Sequence, residues 1–592
     1  MIVSMRKMTF IGVEADKERF LARLQEVGIV HLLHPKEAAE PQDLVKTLAR
    51  ITETRKILSS KGMNHPPGEP GEPLSGQAVC QQREALAQRE TLLQGEIAAL
   101  KKEWSIQEVW GDFDLQQLEA LRDRGLHLQF FRVSQKVFET LPLKGIHHRV
   151  AGISRGEVCF VTASLEPVAL PVPEEKIPSK TVSTIRKELD ARTAELERIE
   201  AEYRRLAAHL ETLKRTEAEL ADLLEYQRAV LNAGSALDGS LFSVTCWSPL
   251  PEAELIAKIG PSFALHYFSE KPSESEQVPV LLSNKPAFDS GEDLVKVYSY
   301  PSYQDFDPSG FVLYCFAVFF GMIIGDAGYG LSLLAVTFLL QRKFKSSSPF
   351  AVRFFRLMYL LSASVTVYGV ISAGYFGLQI DKENPLWNLC LLDVSTKEGQ
   401  NNAMILSIII GMIHISLSHL IQFKNTRAYA SLGWIITIWA GYFLVSGKMS
   451  GAPDNPAATY GTIIGLVIVF IFSSRSRNPI FRILEGLNGL LGIVQVFSDV
   501  LSYLRLFALG IATVYMAQTF NTLAKGIVEG VPYAGWVLAT LVLIAGHSVN
   551  LLLGVMGGVI HGLRLNFLEW YRWCFTGDGL IYKPFCLRKT QH

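Results

Sequence analysis

No Gly-x4-Gly-Lys-Ser/Thr segment occurs anywhere in the 592 residues. The nearest approach, Ser446-Gly447-Lys448-Met449, lacks both the leading spacing and the hydroxyl that a phosphate-cradling loop requires. If ATP drives this protein, another chain hydrolyses it. Cysteine is scarce as well. Cys80, Cys159, Cys246, Cys315, Cys390, Cys574 and Cys586 are scattered, with no Cys-x-x-Cys pair, so they read as free reduced thiols and not as a disulfide frame or a zinc site. Net charge is absent too, with 57 basic and 57 acidic residues. No nucleic-acid partner, metal or cofactor is expected. The N-terminus, Met1-Ile2-Val3-Ser4-Met5-Arg6-Lys7-Met8, has no long apolar core of the kind a secretory signal carries, which predicts that the first half stays in the cytosol.

The overall neutrality hides two different halves. Residues 1–300 are rich in Glu, Lys and Arg, whereas residues 309–570 carry repeated long apolar runs. In the first half, Met8–Val13 and Ile29–Leu33 read as strands around an amphipathic helix from Asp16 to Val27, so residues 1–40 predict the first part of a proximal α/β lobe. Residues 41–104 predict an outgoing helical arm, interrupted by the Pro/Gly stretch Pro66-Pro67-Gly68-Glu69-Pro70-Gly71-Glu72-Pro73. Residues 105–175 predict a distal α/β lobe with strands at 126–133 and 157–162. Residues 176–232 predict the return arm. There Ile185, Leu189, Leu196, Ile199, Tyr203, Leu206, Leu210, Leu213, Leu220 and Leu224 keep the three-four spacing of a heptad seam, broken only at Arg192 and Glu217. One continuous helix of about 45 residues would extend about 65–70 Å. Its simplest partner is the helix at 79–104, in an antiparallel hairpin; a coiled coil with another chain is the alternative. Residues 233–300 predict the rest of the proximal lobe.

Apolar segments follow at about 309–341, 353–374, 402–423, 430–447, 458–474, 483–525 and 533–570. Gly325-Asp326-Ala327-Gly328-Tyr329-Gly330 interrupts the first. Reading it as two short spans places the basic loops Arg342-Lys343-Phe344-Lys345, Lys424-Asn425-Thr426-Arg427 and Arg475-Ser476-Arg477 on one side, which short basic loops make the cytosolic side. The fold class predicted is therefore an α-helical polytopic membrane protein. It has eight transmembrane helices, the last two long and tilted, behind an N-terminal cytosolic dumbbell of two α/β lobes joined by an antiparallel coiled-coil hairpin. Residues 571–592 form a cytosolic tail.

The last two segments hold the chemistry. Arg505 sits inside an apolar run and Arg564 repeats the pattern near the end of the final one. A charge near the middle of a membrane helix costs at least about 2.5–3.5 kcal/mol on insertion scales and is retained where it faces protein or water. Gln495, Ser498, Asp499, Ser502 and Arg505 recur at +3, +4, +7 and +10 and share one helix face; His547, Asn550, Gly554, Gly557, His561 and Arg564 form a second stripe. Two such stripes, each with an arginine, point to a water-filled ion path; interhelical hydrogen bonding is the bland alternative. That alternative is the preferred reading of His414 and His419. Asp326 is read as a turn cap, and Glu485 and Glu569 as ordinary carboxylates near the cytosolic edge.

Three motifs resemble the membrane stator subunit of V-type and A-type rotary ATPases, called subunit a in eukaryotes and subunit I in prokaryotes. Pro301-Ser302-Tyr303 with Asp307-Pro308 precedes Phe320-Gly321-Met322-Ile323-Ile324-Gly325-Asp326-Ala327-Gly328-Tyr329-Gly330. Ser502-Tyr503-Leu504-Arg505-Leu506-Phe507-Ala508-Leu509 is similar to the family's arginine segment. His561-Gly562-Leu563-Arg564-Leu565-Asn566-Phe567-Leu568-Glu569 is similar to its second, followed by Gly577-Asp578-Gly579 and Tyr582-Lys583-Pro584-Phe585. The resemblance implies a non-catalytic, ion-translocating subunit of a prokaryotic plasma membrane with both termini cytosolic. Its implied partners are a rotor proteolipid ring, peripheral stalk subunits at the two lobes, a soluble ATPase head reached through the stalks, and the bilayer. Arg505 takes the place of the family's essential arginine. From the orientation, Gln495, Ser498, Asp499 and Ser502 are expected in an inner half-channel, and Thr513, Gln518, His547, Asn550 and His561 in an outer one. The pattern departs at Gly554 and Asp499, where eukaryotic relatives carry an acid and a histidine. A secondary transporter with a regulatory domain would call for an inverted repeat, and none is visible. A passive anchor would gain nothing from the two arginines.

Overall fold

The computed structural model describes residues 1–588 except 34–38, 63–72, 155, 177–179, 261–262, 274–275, 345–347, 379–382, 427, 450, 452, 454 and 475–477. Most of the Pro/Gly stretch at 66–73, and the loop Arg475-Ser476-Arg477, lie outside the described residues, as do Lys345 and Arg427. The chain divides into two compact units. One comprises Met1–Ile11, Ile29–Leu33 and Ser243–Pro584, and the other Gly12–Gly28, His34–Phe242 and Phe585–His592.

The second unit is built on four long helices, Gln42–Gly62, Gly76–Gln107, Val182–Ala207 and Leu210–Asn232. Ser75 and Thr181 start two of them, each accepting a backbone N–H with its hydroxyl (3.3 and 3.2 Å) and so satisfying one of the donors a helix start leaves free. Part of the leucine-spaced set is buried. Ile199, Tyr203, Leu206 and Leu213 are buried with Ile51, Leu58, Val79, Cys80 and Leu93. The return arm is nevertheless not one helix. It breaks at Ala208-His209, where the chain takes i→i+3 hydrogen bonds, Ala208 N to Arg205 O (3.1 Å) and His209 N to Leu206 O (3.0 Å). The reason lies in the partners. Val182–Ala207 packs on Gly76–Gln107, and Leu210–Asn232 packs mainly on Gln42–Gly62. The break lets each half face its own neighbour. A four-stranded antiparallel sheet, in the order His147–Ser154, Glu157–Ser164, His127–Ser134, Glu174–Glu175, follows in the same unit, with Phe131 stacked on Phe160 at 5.3 Å.

The first unit begins with a sheet ordered His31–Leu32, Leu241–Ser248, Arg6–Val13, Leu265–Glu270. A second, two-stranded sheet pairs Pro279–Val280 in parallel with Leu580–Ile581, so the tail after the last helix is bound and not loose. Asp305 accepts the backbone N–H of Thr576 (3.2 Å) and Gly577 (3.1 Å), and the Tyr582 hydroxyl donates to the Ile29 carbonyl.

The apolar half is built mainly of helices. Among the described residues, five helices are long and apolar enough to cross a membrane: Pro349–Ile371, Lys397–Lys424, Ala430–Met449, Pro479–Gly530 and Gly535–Cys574. Ser309–Ile324 and Pro456–Phe472 are apolar but shorter. The first apolar run is two helices, Ser309–Ile324 and Ala327–Lys343, parted at Gly325-Asp326. Gly325 takes φ 62°, a conformation open to glycine at little cost. Asp326 caps the next helix by accepting the Tyr329 N–H at 3.1 Å. Pro349–Ile371 comes to backbone contact with this turn, because a Cβ added at Gly369 would stand 2.0 Å from Ala327 N and one at Gly374 2.4 Å from Gly325 O. Small residues permit such close approach where lipid removes the hydrophobic drive for helix association.

Candidate functional site

The segment carrying the first arginine is not one straight helix. Pro479–Leu501 and Leu504–Gly530 are separated by a tight turn at Ser502-Tyr503, with i→i+3 bonds from Tyr503 N to Val500 O (3.2 Å), Arg505 N to Ser502 O (3.3 Å) and Leu506 N to Tyr503 O (3.0 Å). Tyr503 holds this turn. Its ring is fully buried against Gly411, where a Cβ would lie 2.6 Å from Tyr503 Cγ, and its hydroxyl bonds His414 Nδ1 at 2.6 Å. His414 also stacks on Trp570 at 5.3 Å, so it joins neighbouring helices, as its sequence context suggests. Arg505 follows two residues after Tyr503, with its side chain about a quarter exposed (23%).

The last segment is also irregular. The Gly535–Arg564 helix passes into a π-helical turn, Leu565–Trp570, and then into a final turn, Tyr571–Cys574. π-turns break the regular hydrogen-bond ladder and recur at functional sites. Here Ser418 donates its hydroxyl to the Trp570 carbonyl at 2.9 Å, and the Asn566 amide donates to Gly562 O at 3.0 Å. The turn carries Glu569 into the protein. Read as an ordinary edge carboxylate, Glu569 is in fact 4% exposed, and its Oε1 lies 3.9 Å from Arg505 Nη1. Arg564, by contrast, is exposed and not buried. It stands five residues before Glu569, on the outer side of the helix.

Of the residues expected in the inner set, Gln495 and Asp499 are brought together, and Ser498 and Ser502 are not part of that cluster. Asp499 is buried and accepts from Gln495 Nε2 (2.6 Å) and Trp573 Nε1 (3.0 Å), with Arg572 Nη1 at 3.7 Å. Ser498 is exposed, and its carbonyl accepts the Ser502 hydroxyl at 3.0 Å. The outer set is brought together in part. The Tyr329 hydroxyl bonds His547 Nδ1 at 2.7 Å and receives Asn550 Nδ2 at 2.9 Å. Asn550 Nδ2 also donates to the Thr513 carbonyl at 2.9 Å, and His547 Nε2 meets Asn521 Oδ1 at 3.1 Å. The Thr513 hydroxyl bonds Leu509 O on its own helix at 3.0 Å. Gln518 stands apart from this network. It lines a cavity of about 200 Å³ with Asp326, Asp393, Ser372 and Trp387. His561 is half-buried, on the same helix as both His547 and Arg564.

Sequence reasoning missed Glu569, Trp573, Tyr329, Asn521 and Tyr503. Glu569 lies off the Arg564 face, and nothing local in the sequence marks the π-turn that carries it. Tyr329 lies four residues after Gly325, in a motif that was read for its glycines. Chemically, the ensemble offers a partly exposed guanidinium in an apolar setting. Glu569 stands beside it, a second buried carboxylate, Asp499, lies on the preceding helix, and a separate histidine–asparagine–tyrosine chain joins three helices.

No family model matches the chain. It is 27% identical over 99% of its length to the V-type ATP synthase subunit I of Chlamydia trachomatis, of which 98% is covered. It is 24% identical to that of Borreliella burgdorferi, with 99% of each chain covered. With the A-type ATP synthase subunit I of Methanocaldococcus jannaschii it shares 28% identity over 69% of this chain and 64% of that one. A solved structure of the cytoplasmic N-terminal domain of subunit I, homolog of subunit a, of V-ATPase covers 45% of this chain and all of that one, at 13% identity and a TM-score of 0.21. The chain is thus similar over nearly its whole length to V-type ATP synthase subunit I proteins, and among its described residues it has five helices long and apolar enough to cross a membrane.

Proposed function

We infer that this homologue of V/A-type ATP synthase subunit I is the stator of a rotary ATPase, and that it couples H⁺ or Na⁺ movement to ATP hydrolysis or synthesis in other subunits. Its homologues are named as ATP synthase subunits, and the chain itself has no phosphate-binding loop. The observation that carries the reading is Arg505: a guanidinium about a quarter exposed, in the middle of an apolar helix pair. A fixed cation there acts on the carboxylates of a passing rotor ring. It favours their ionised form and makes them release their ion before they go by. The Asp499–Gln495–Trp573 cluster and the His547–Asn550–Tyr329 chain sit before and after Arg505 along the same helix pair, which suits an inner and an outer half-channel. Ser498 and Ser502 belong to the inner path, and Thr513, Gln518 and His561 to the outer one. Arg564 supports the site from its cytosolic side.

The same reading gives eight crossings with both ends in the cytosol. The two helices either side of Gly325-Asp326 count as two of them, and Arg342, Lys343 and Lys424 lie on the inner side. The lobes and helical arms of the first 300 residues then meet peripheral stalks, in the antiparallel dumbbell arrangement that the heptad seam suggests. The test is at Arg505. In assembled complexes in sealed vesicles, Arg505→Gln and Arg505→Lys should both abolish or nearly abolish ATP-driven ion pumping without loss of assembly. A buried lysine can lose its proton and lacks the delocalised guanidinium. Full pumping by Arg505→Gln would end this reading.

A further inference from the structure

Arg505 and Glu569 form an unusual pair. At 3.9 Å, Nη1 and Oε1 are too far apart for a charge-assisted hydrogen bond, which spans about 2.7–2.9 Å. One atom on each side stays unpaired: Arg505 Nη1 and Glu569 Oε2 are both buried with no hydrogen-bond partner among the described residues. A buried ion pair is stable when each charge has further hydrogen bonds, and leaving them unmade is costly. Such a cost persists where the strain is part of a mechanism. Glu569 itself stands in the π-turn, and such turns recur at functional sites.

We propose that Glu569 is a positioning residue, a resident counter-charge that holds Arg505 loosely between successive rotor carboxylates and releases it to each one. This rests on the stator reading above. The loose geometry is the point. A bidentate contact at hydrogen-bond distance would neutralise Arg505 and blunt its action on the ring. With no carboxylate nearby, Arg505 would hold each rotor carboxylate too strongly. At 3.9 Å one guanidinium nitrogen is oriented while the exposed part of the side chain stays available. The other groups facing this pair are Arg564 and His561 on the last helix, Asp499 and Tyr503 on the preceding pair, and His414 behind Tyr503. Of these, Asp499 is already occupied by Gln495 and Trp573, and His414 by Tyr503. Glu569 is the carboxylate placed to serve Arg505.

The experiment compares Glu569→Gln, Glu569→Asp and Arg505→Gln in the assembled complex, measuring pumping rate against concentration of the transported ion, H⁺ or Na⁺. Without the counter-charge, Arg505 acts more strongly on rotor carboxylates, which then load their ion less readily. Glu569→Gln should raise the ion concentration for half-maximal pumping by about threefold, for H⁺ about half a pH unit toward acid, since a nearby charge shifts a carboxylate by about 1–3 units and this effect is indirect. Glu569→Asp keeps the charge and should stay near the parent value. A purely structural role would lower the amount of complex and the maximal rate but leave the half-maximal concentration unchanged, and that result overturns the proposal. So does an equal shift in Gln and Asp variants. If Arg505→Gln pumps normally, the stator reading itself falls; if it is inactive while Glu569→Gln is unshifted, only the counter-charge falls. A second measurement covers failure of Glu569→Gln to assemble. Dicyclohexylcarbodiimide adds to protonated carboxyls, so Arg505→Gln should increase labelling of the peptide containing Glu569, read by mass spectrometry. Unchanged labelling overturns the proposal.

Discussion

A methyl group at Gly369 tests how the helices of the apolar half are held. The added Cβ would lie 2.0 Å from Ala327 N and 2.5 Å from the Asp326 carbonyl carbon, against the 3.0 Å below which real Cβ contacts essentially never fall. Both obstacles are backbone, so no side chain can swing away, and the Pro349–Ile371 helix must retreat by about an ångström (3.0 − 2.0). That movement breaks the Ala327 N–H bond to the Gly374 carbonyl (2.8 Å) and the Ser372 hydroxyl bond to Gly325 O (3.1 Å). At about 1 kcal/mol for each bond and about 1–3 kcal/mol for overpacking, Gly369→Ala should destabilise by about 3–5 kcal/mol. Gly554→Ala is the control. Its Cβ would meet Ile324 Cγ1 at 3.5 Å, an ordinary contact, so the higher helix propensity of alanine should leave it neutral or about 0.5–1 kcal/mol more stable. The assay is recovery of the subunit in complexes extracted with detergent and heated in steps. Gly369→Ala should lower the temperature of half-recovery or abolish assembly, and Gly554→Ala should not. Equal behaviour would refute the close-contact account.

Asn550→Ala removes two hydrogen bonds, to the Tyr329 hydroxyl and the Thr513 carbonyl, and should cost about 1–2 kcal/mol, near the membrane value of about 0.6 kcal/mol per bond and above; unchanged thermal recovery would mean that water already substitutes for these bonds. Burial pushes the Cys246 thiol up to about 12, so it stays neutral, and raising the pH from 7 to 9 should not speed its reaction with maleimide in the native complex; prompt stoichiometric labelling at pH 7 would contradict its burial. Asp305→Ala removes the acceptor of the Thr576 and Gly577 N–H groups and should expose residues 576–588 to limited proteolysis; cleavage at the parental rate would show that the tail is held otherwise.

Much of the helical layout was legible because it rests on local chemistry. Gly325-Asp326 interrupts an apolar run, and a run broken by a glycine and a capping carboxylate has to turn there. Arg505 announces itself by cost alone. The missed features depend on what lies opposite. The leucine seam runs unbroken through Leu206, Leu210 and Leu213, so nothing local marks the break at Ala208-His209; the change of partner helix does. The turn at Ser502-Tyr503 is fixed by Tyr503 filling the space over Gly411, a contact between segments about ninety residues apart. Glu569 reads as an edge carboxylate because nothing in its own segment shows that Arg505, on another helix, packs beside it. In the candidate site, Arg505, Gln495, Asp499, His547 and Asn550 could be named from the sequence, whereas Glu569, Trp573, Tyr329 and Asn521 could not. Which of them touch could not.

The bound tail has a mechanical consequence. The near sheet leads into the first apolar helix through residues 300–308, and the last helix returns to the same lobe through Asp305, Leu580–Ile581 and Tyr582. A sideways load on that lobe therefore enters the apolar helices through two struts instead of one. A single strut is a swivel and lets the lobe spin about it. Two struts resist that spin, and the shear falls on a short parallel strand pair and a few amide bonds, which should be the first parts to yield under torque.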